Sequence, residues 1–115
     1  YSIVRAGGPV SPATASDGQH DDAGAIPMGS RIQLDPSIDL EALELDPAEL
    51  TIARALQVYG AFVGDSAGGI ALSAVSAHSF QGNPYAGLLP VEAVTDGGLF
   101  FTAFSAENFR VLAAE

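Results

Sequence analysis

The sequence predicts a mainly β chain, a portion of a β-sandwich with one packed α-helix. Three observations predict it. Short apolar or alternating runs recur along the chain, bounded by Gly, Pro, Asp and Ser. One segment alone, 47–59, carries a strong helical period. Strands and helices do not alternate regularly, which argues against a complete doubly wound sheet.

The elements follow in order. Residues 1–10, YSIVRAGGPV, open on an apolar run and stop at Gly7-Gly8-Pro9, as an interrupted strand would. Residues 11–30 have no periodicity, are dense in Gly, Pro, Asp and Ser, and read as a long surface loop. Arg31-Ile32-Gln33-Leu34 alternates and reads as a short strand ending at Asp35-Pro36. Residues 37–45 scatter Ile38, Leu40, Leu43 and Leu45 among acids and suit a single helical turn. Asp46 then caps the helix over 47–59, with Pro47 at its first position, Glu49 completing a near capping box and Gly60 as the stop. Ile52, Leu56 and Tyr59 share one face of that helix and are expected in the core.

Residues 61–65, AFVGD, suit a strand, and Gly68-Gly69 suits a hairpin turn into a second strand over 70–76. A polar loop follows from His78 to Gly87, and 88–95 fit no pattern. Leu99 to Phe104 is aromatic-rich and strand-like, with Phe100, Phe101 and Phe104 as a core or interface cluster. Ser105 can cap a short helical turn. Phe109 to Leu112 suits a terminal strand with Phe109 and Val111 on one side and Arg110 on the other.

Composition narrows the function classes. The chain has 115 residues, one domain at most, and 48% apolar residues, so it is not a disordered tail. Its four basic residues are all Arg; against 14 acids they leave a net charge of -10. That balance argues against nucleic-acid and anionic-lipid partners. No run is long enough to span a membrane as a helix, and the start shows no signal-peptide pattern. Without Cys there is no disulfide, thiolate nucleophile or thiolate metal site, and without Lys there is no Schiff base or phosphate-loop lysine. The apolar surface of Ile70, Leu72, Val75, Leu99 and the phenylalanines exceeds what one helix covers. Residues 1–115 are therefore expected to form the C-terminal part of a larger sandwich, held by a companion polypeptide preceding Tyr1.

Gly64-Asp65-Ser66-Ala67-Gly68 matches the nucleophile elbow of serine esterases. The residues after Gly69 do not read as the helix an elbow requires. His78 follows too closely to serve as the triad base, and no oxyanion-loop HGG precedes it. Ser66 is therefore read as a turn residue, with an esterase fragment as the minor alternative.

Two polar loops could carry chemistry. Asp17, His20, Asp21 and Asp22 crowd the first: His20 oriented by Asp17 could act as a general base, and Asp17, Asp21 and Asp22 could hold Ca²⁺, although the order of an EF-hand is missing. His78 and Tyr85 in the second, beside Gln81 and Asn83, suit β-elimination from a uronate or sugar binding. Asp35, Asp39, Glu41 and Glu44 are candidates for a glycosidase pair, against solvation and helix capping as the plain alternative.

PATASDG at 12–18, IPMGSRIQLDPSIDLEAL at 26–43, TIARALQVYGAFVGDSAG at 51–68 and FRVL at 109–112 together resemble the C-terminal region of a family of large exported actinobacterial proteins. The resemblance implies export to an extracellular site, a jelly-roll-like architecture and a link to carbohydrates, with polysaccharide as a partner. It carries over no catalytic residue, and under it GDSAG is the turn after the helix. The expected function is an exported polysaccharide hydrolase or lyase of which this chain is one part. The alternatives are a non-catalytic carbohydrate-binding or surface-structural β-sandwich, and the esterase fragment. A cleft with convergent carboxylates would favour an enzyme, and an aromatic surface would favour binding.

Overall fold

The computed structural model describes residues 1–73, 75–88, 99–100 and 102–113. The stretch 89–95 and Phe101, singled out above, lie outside the described residues. Among those described, strand β1 spans Arg31–Leu34, helix α1 spans Pro47–Val58, and strands β2, β3, β4 and β5 span Ala61–Phe62, Ala71–Leu72, Leu99–Phe100 and Phe109–Val111. Short 3₁₀ turns cover Leu40–Leu43, Ala77–Ser79 and Ala106–Asn108.

β1 is the centre of a three-stranded antiparallel sheet in the order β2-β1-β5. Arg31 pairs with Phe62 and Ile32 with Ala61 on one side. Ile32, Gln33 and Leu34 pair with Val111, Arg110 and Phe109 on the other. β3 and β4 form a separate two-stranded antiparallel ribbon.

This architecture corrects the expected β-sandwich and its jelly-roll-like form. No second sheet lies across β1 among the described residues; the buried side of β1 is covered by α1 and by irregular chain. Leu34 clusters with Leu40, Ala53, Leu56, Ile70 and Phe104, and Ile32 clusters with Val4, Met28 and Val63. Among the described residues the expected strand over 70–76 contributes two, Ala71 and Leu72, to a ladder, its small Ala and Ser side chains burying little area to hold a longer one. The Gly68-Gly69 hairpin does not form either: β2 and β3 belong to different sheets.

The helix is fixed at both ends. Asp46 Oδ1 accepts from the Glu49 amide at 2.9 Å, and the Asp46 amide donates to Glu49 Oε2 at 3.2 Å. At the other end Gly60 has φ +74°, and a Cβ there would collide with the Ile32 carbonyl oxygen. No basic residue lies in the last helical turn. One cation and one neutral donor come from β1 instead: Arg31 Nη2 donates to the Tyr59 carbonyl at 2.6 Å and Gln33 Nε2 to the Gln57 carbonyl at 2.5 Å. They satisfy carbonyls that a helix terminus leaves without partners and place a positive charge at the negative end of the dipole.

The buried helix face is also shifted from expectation. Ala53 and Leu56 are buried, Ile52 is half-buried, and Tyr59 is 69% exposed. Ala53 has no exposed area, so it is here that the small side chain allows close approach to the core. Tyr59 is already the C-cap residue, and its ring leaves the apolar face as the chain turns at Gly60.

Residues 11–30 fold back onto the start of the chain. Arg5 and Ala6 donate to the carbonyls of Ile26 and His20 at 2.8 and 2.9 Å, so the strand-like run at 3–6 lies between two parts of this segment. Ala25, Met28, Gly29 and Ser30 are buried at its far end.

Candidate functional site

A cleft of about 540 Å³ opens between the β2 side of the sheet and the segment 63–73. Its floor includes Ile32, Leu56 and Ile70 from the core, Tyr1 and Phe109 add aromatic side chains, and Phe62 lines it at the β2 edge of the sheet. Asp65, Ser66 and Ser73 supply its polar side chains. A volume of this size suits a small ligand or one or two sugar units.

The loop at the cleft rim is held by the N-terminal run. The Ala67 amide donates to the Tyr1 carbonyl at 3.0 Å. Ser66 Oγ donates to Asp17 Oδ1 at 2.7 Å, joining residues 49 positions apart. That bond, from the Ser66 hydroxyl, is the main cause holding the Asp17 carboxyl below its ordinary value of 3.8. A carboxylate stabilised in its charged form is a poor base, and no histidine bonds to Ser66. The element after Ser66 is strand β3 rather than a helix. Ser66 lies in irregular chain rather than in an assigned turn, without the strand–serine–helix elbow or the base of a hydrolase.

The same bond gives a pH prediction. Ser66→Ala should raise the Asp17 pKa towards the ordinary value, as read by carboxyl ¹³C NMR titration. The sign follows from linkage: with the folded pKa depressed, the stabilisation is present above the unfolded pKa. It disappears as pH falls from the ordinary carboxylate range through the lowered folded value. An Asp17 titration identical in the two proteins would refute this assignment.

The remaining candidates are dispersed. His20 lies beside Asp22, Nδ1 to Oδ2 at 3.2 Å, with both side chains largely exposed, so its carboxylate neighbour is Asp22 rather than Asp17. Among the described residues no group of three or more His, Asp or Glu is assembled to hold a metal, so Asp17, Asp21 and Asp22 do not form such a set. His78 sits exposed in the Ala77–Ser79 turn. Tyr85 Oη donates to the Val75 carbonyl at 2.5 Å, which ties its loop down. None of His20, His78 and Tyr85 lines the cleft.

Of the four carboxylates considered for a glycosidase pair, Asp35 accepts from the Ser37 amide and hydroxyl, both at 2.8 Å, and Asp39 caps the Leu40–Leu43 turn. Glu41 pairs with Arg54 on the surface. Glu44 is exposed with φ +53°. None of them reaches the cleft. The groups that do, Phe62 and Asp65 above all, stood in the sequence only as a strand residue and a turn residue.

Comparison with protein-family models, with curated proteins and with solved structures finds no match to this chain. Among the described residues no helix is long and apolar enough to cross a membrane.

Proposed function

We propose that this chain is an exported, non-catalytic carbohydrate-binding module that takes a sugar in the cleft beside residues 63–73. The supporting observation is the make-up of that cleft: Tyr1 and Phe109 beside an apolar floor, Phe62 at its β2 edge, and Asp65, Ser66 and Ser73 at hand for hydroxyl groups. Sugars present apolar C–H faces and a hydroxyl periphery, so aromatic faces and hydrogen-bonding side chains are the chemistry that recognises them. Hydrolysis by the usual route needs two carboxyl groups facing each other across the bond. Among the described residues Asp65 supplies the only carboxyl lining this cleft, which favours binding over turnover.

The test is NMR titration of the intact chain with a panel of neutral and acidic oligosaccharides. Saturable shifts should centre on Phe62, Asp65 and Ser66. Phe62 is 58% exposed, so Phe62→Ala should leave the fold intact. Loss of its ring face should weaken binding by about tenfold, on the order of 1 kcal/mol. Absence of saturable shifts across the panel would refute the reading.

A further inference from the structure

We infer that the sugar taken here is acidic, a uronate-containing glycan whose carboxylates pair with Arg110 and Arg31 on the open face of the three-stranded sheet. This rests on the carbohydrate-binding reading and names its ligand class.

The pleat sorts the sheet residues. Directly paired residues in antiparallel strands share a face, and alternate residues along a strand share it too. Arg31 with Phe62, and Gln33 with Arg110, therefore occupy one face. The opposite face carries Ile32 and Leu34, both buried. The cleft residues Ile32, Ala61 and Phe109 belong to the opposite face, and Phe62, on the edge strand β2, is the one open-face residue of these four that lines the cleft, so a glycan rounding that edge past Phe62 next meets Arg31, Gln33 and Arg110.

The charge of this face runs against that of the chain. Two of the four arginines occupy its four paired positions, and none of those positions is acidic, in a chain with 14 acids. The first acid beyond them is Asp35, which follows β1. Ser37 bonds hold its carboxyl below the ordinary range, with a smaller contribution from Arg110. Its Oδ1 is occupied by those Ser37 bonds.

Both guanidinium groups are oriented before a ligand arrives. Arg31 is anchored through Nε and Nη2 on the Tyr59 carbonyl, at 3.2 and 2.6 Å. Arg110 is anchored through Nε alone on Gln33 Oε1, at 2.8 Å, which leaves its two Nη groups for a carboxylate. A planar, pre-oriented fork suits bidentate carboxylate binding and loses little further freedom on doing so. The net charge of -10 repels an acidic ligand only at range. At physiological salt that repulsion is screened beyond about 8 Å, so contact partners decide the preference.

The experiment compares oligogalacturonate and oligoglucuronate fragments with their methyl esters, which keep the shape and remove the charge. NMR or calorimetric titration should give the acids about fivefold tighter binding, as expected of exposed but pre-oriented pairs. Arg110→Gln should reduce the acid preference to the smaller part that Arg31 supplies, while Phe62→Ala weakens acid and ester alike. Arg110→Lys should restore part of the preference. Equal binding of acid and ester by the unaltered chain, or a preference undiminished by Arg110→Gln, would overturn the inference and leave the carbohydrate reading standing. Failure of every sugar, charged or neutral, would remove that reading and this inference with it.

Discussion

Leu56→Ala should lower the unfolding free energy by about 2–5 kcal/mol, the range for removing a large aliphatic side chain from a core. Leu56 is 5% exposed and packs in the cluster with Leu34, Leu40, Ala53, Ile70 and Phe104. It joins α1 to β1, and it also forms part of the cleft floor. Truncation therefore loses apolar burial and leaves a void that the capped, sheet-anchored helix cannot easily close. Tyr59→Ala is the internal control. Its ring is 69% exposed, so its loss should cost no more than about 0.5 kcal/mol. Urea unfolding of the three proteins checks both values. A Leu56→Ala loss as small as the control's would defeat the packing assignment.

Gly29→Ala should destabilise by about 2–4 kcal/mol, combining left-handed backbone strain with overpacking. Gly29 has φ +91°, and a Cβ there would collide with the carbonyl oxygen of Val10 and sit 3.0 Å from the Ala13 Cβ. The obstacle is backbone, and it is held in place: the Val10 amide donates to the Met28 carbonyl and the Gly29 amide to the Val63 carbonyl, both at 2.8 Å. Relief would require the segment 10–13 to lift from the residues leading into β1. Gly24→Ala, in the same segment but with nothing within 4 Å, should be nearly neutral. Thermal unfolding distinguishes them, and equal midpoints would show that the close approach at Gly29 is not real.

Elements specified by local chemistry were legible in the sequence. The Asp46-Pro47-Glu49 start and Gly60 stop locate α1 without reference to the rest of the chain, and alternation marks β1 and β5. What could not be read was which surfaces meet. The period that grouped Leu56 with Tyr59 is correct for a helix but does not say where the helix leaves the core, and Tyr59 lies past that point. Residues 70–76 are apolar enough for a strand, yet a ladder needs a partner, and only Ala71 and Leu72 have one among the described residues. The sandwich inferred from these runs fails for that reason. Asp17 and Ser66 were each noticed separately. Their bond spans 49 positions, and no local pattern records such a contact.

The central strand has a further consequence, for the order in which the chain acquires its structure. β1 is synthesised before both of its neighbours, which come from downstream: Phe62 pairs with Arg31, and Arg110 reaches Gln33 across 77 positions. Closing loops of that length costs chain entropy before any sheet contact repays it, and such topologies fold slowly. Until residues 109–111 arrive, one edge of β1 presents bare amides and carbonyls next to the apolar side chains of Ile32 and Leu34. Helix α1, with its local caps, can form well before then and shield Leu34. The interval before the last strand docks is when a nascent chain is most prone to pair with the wrong edge.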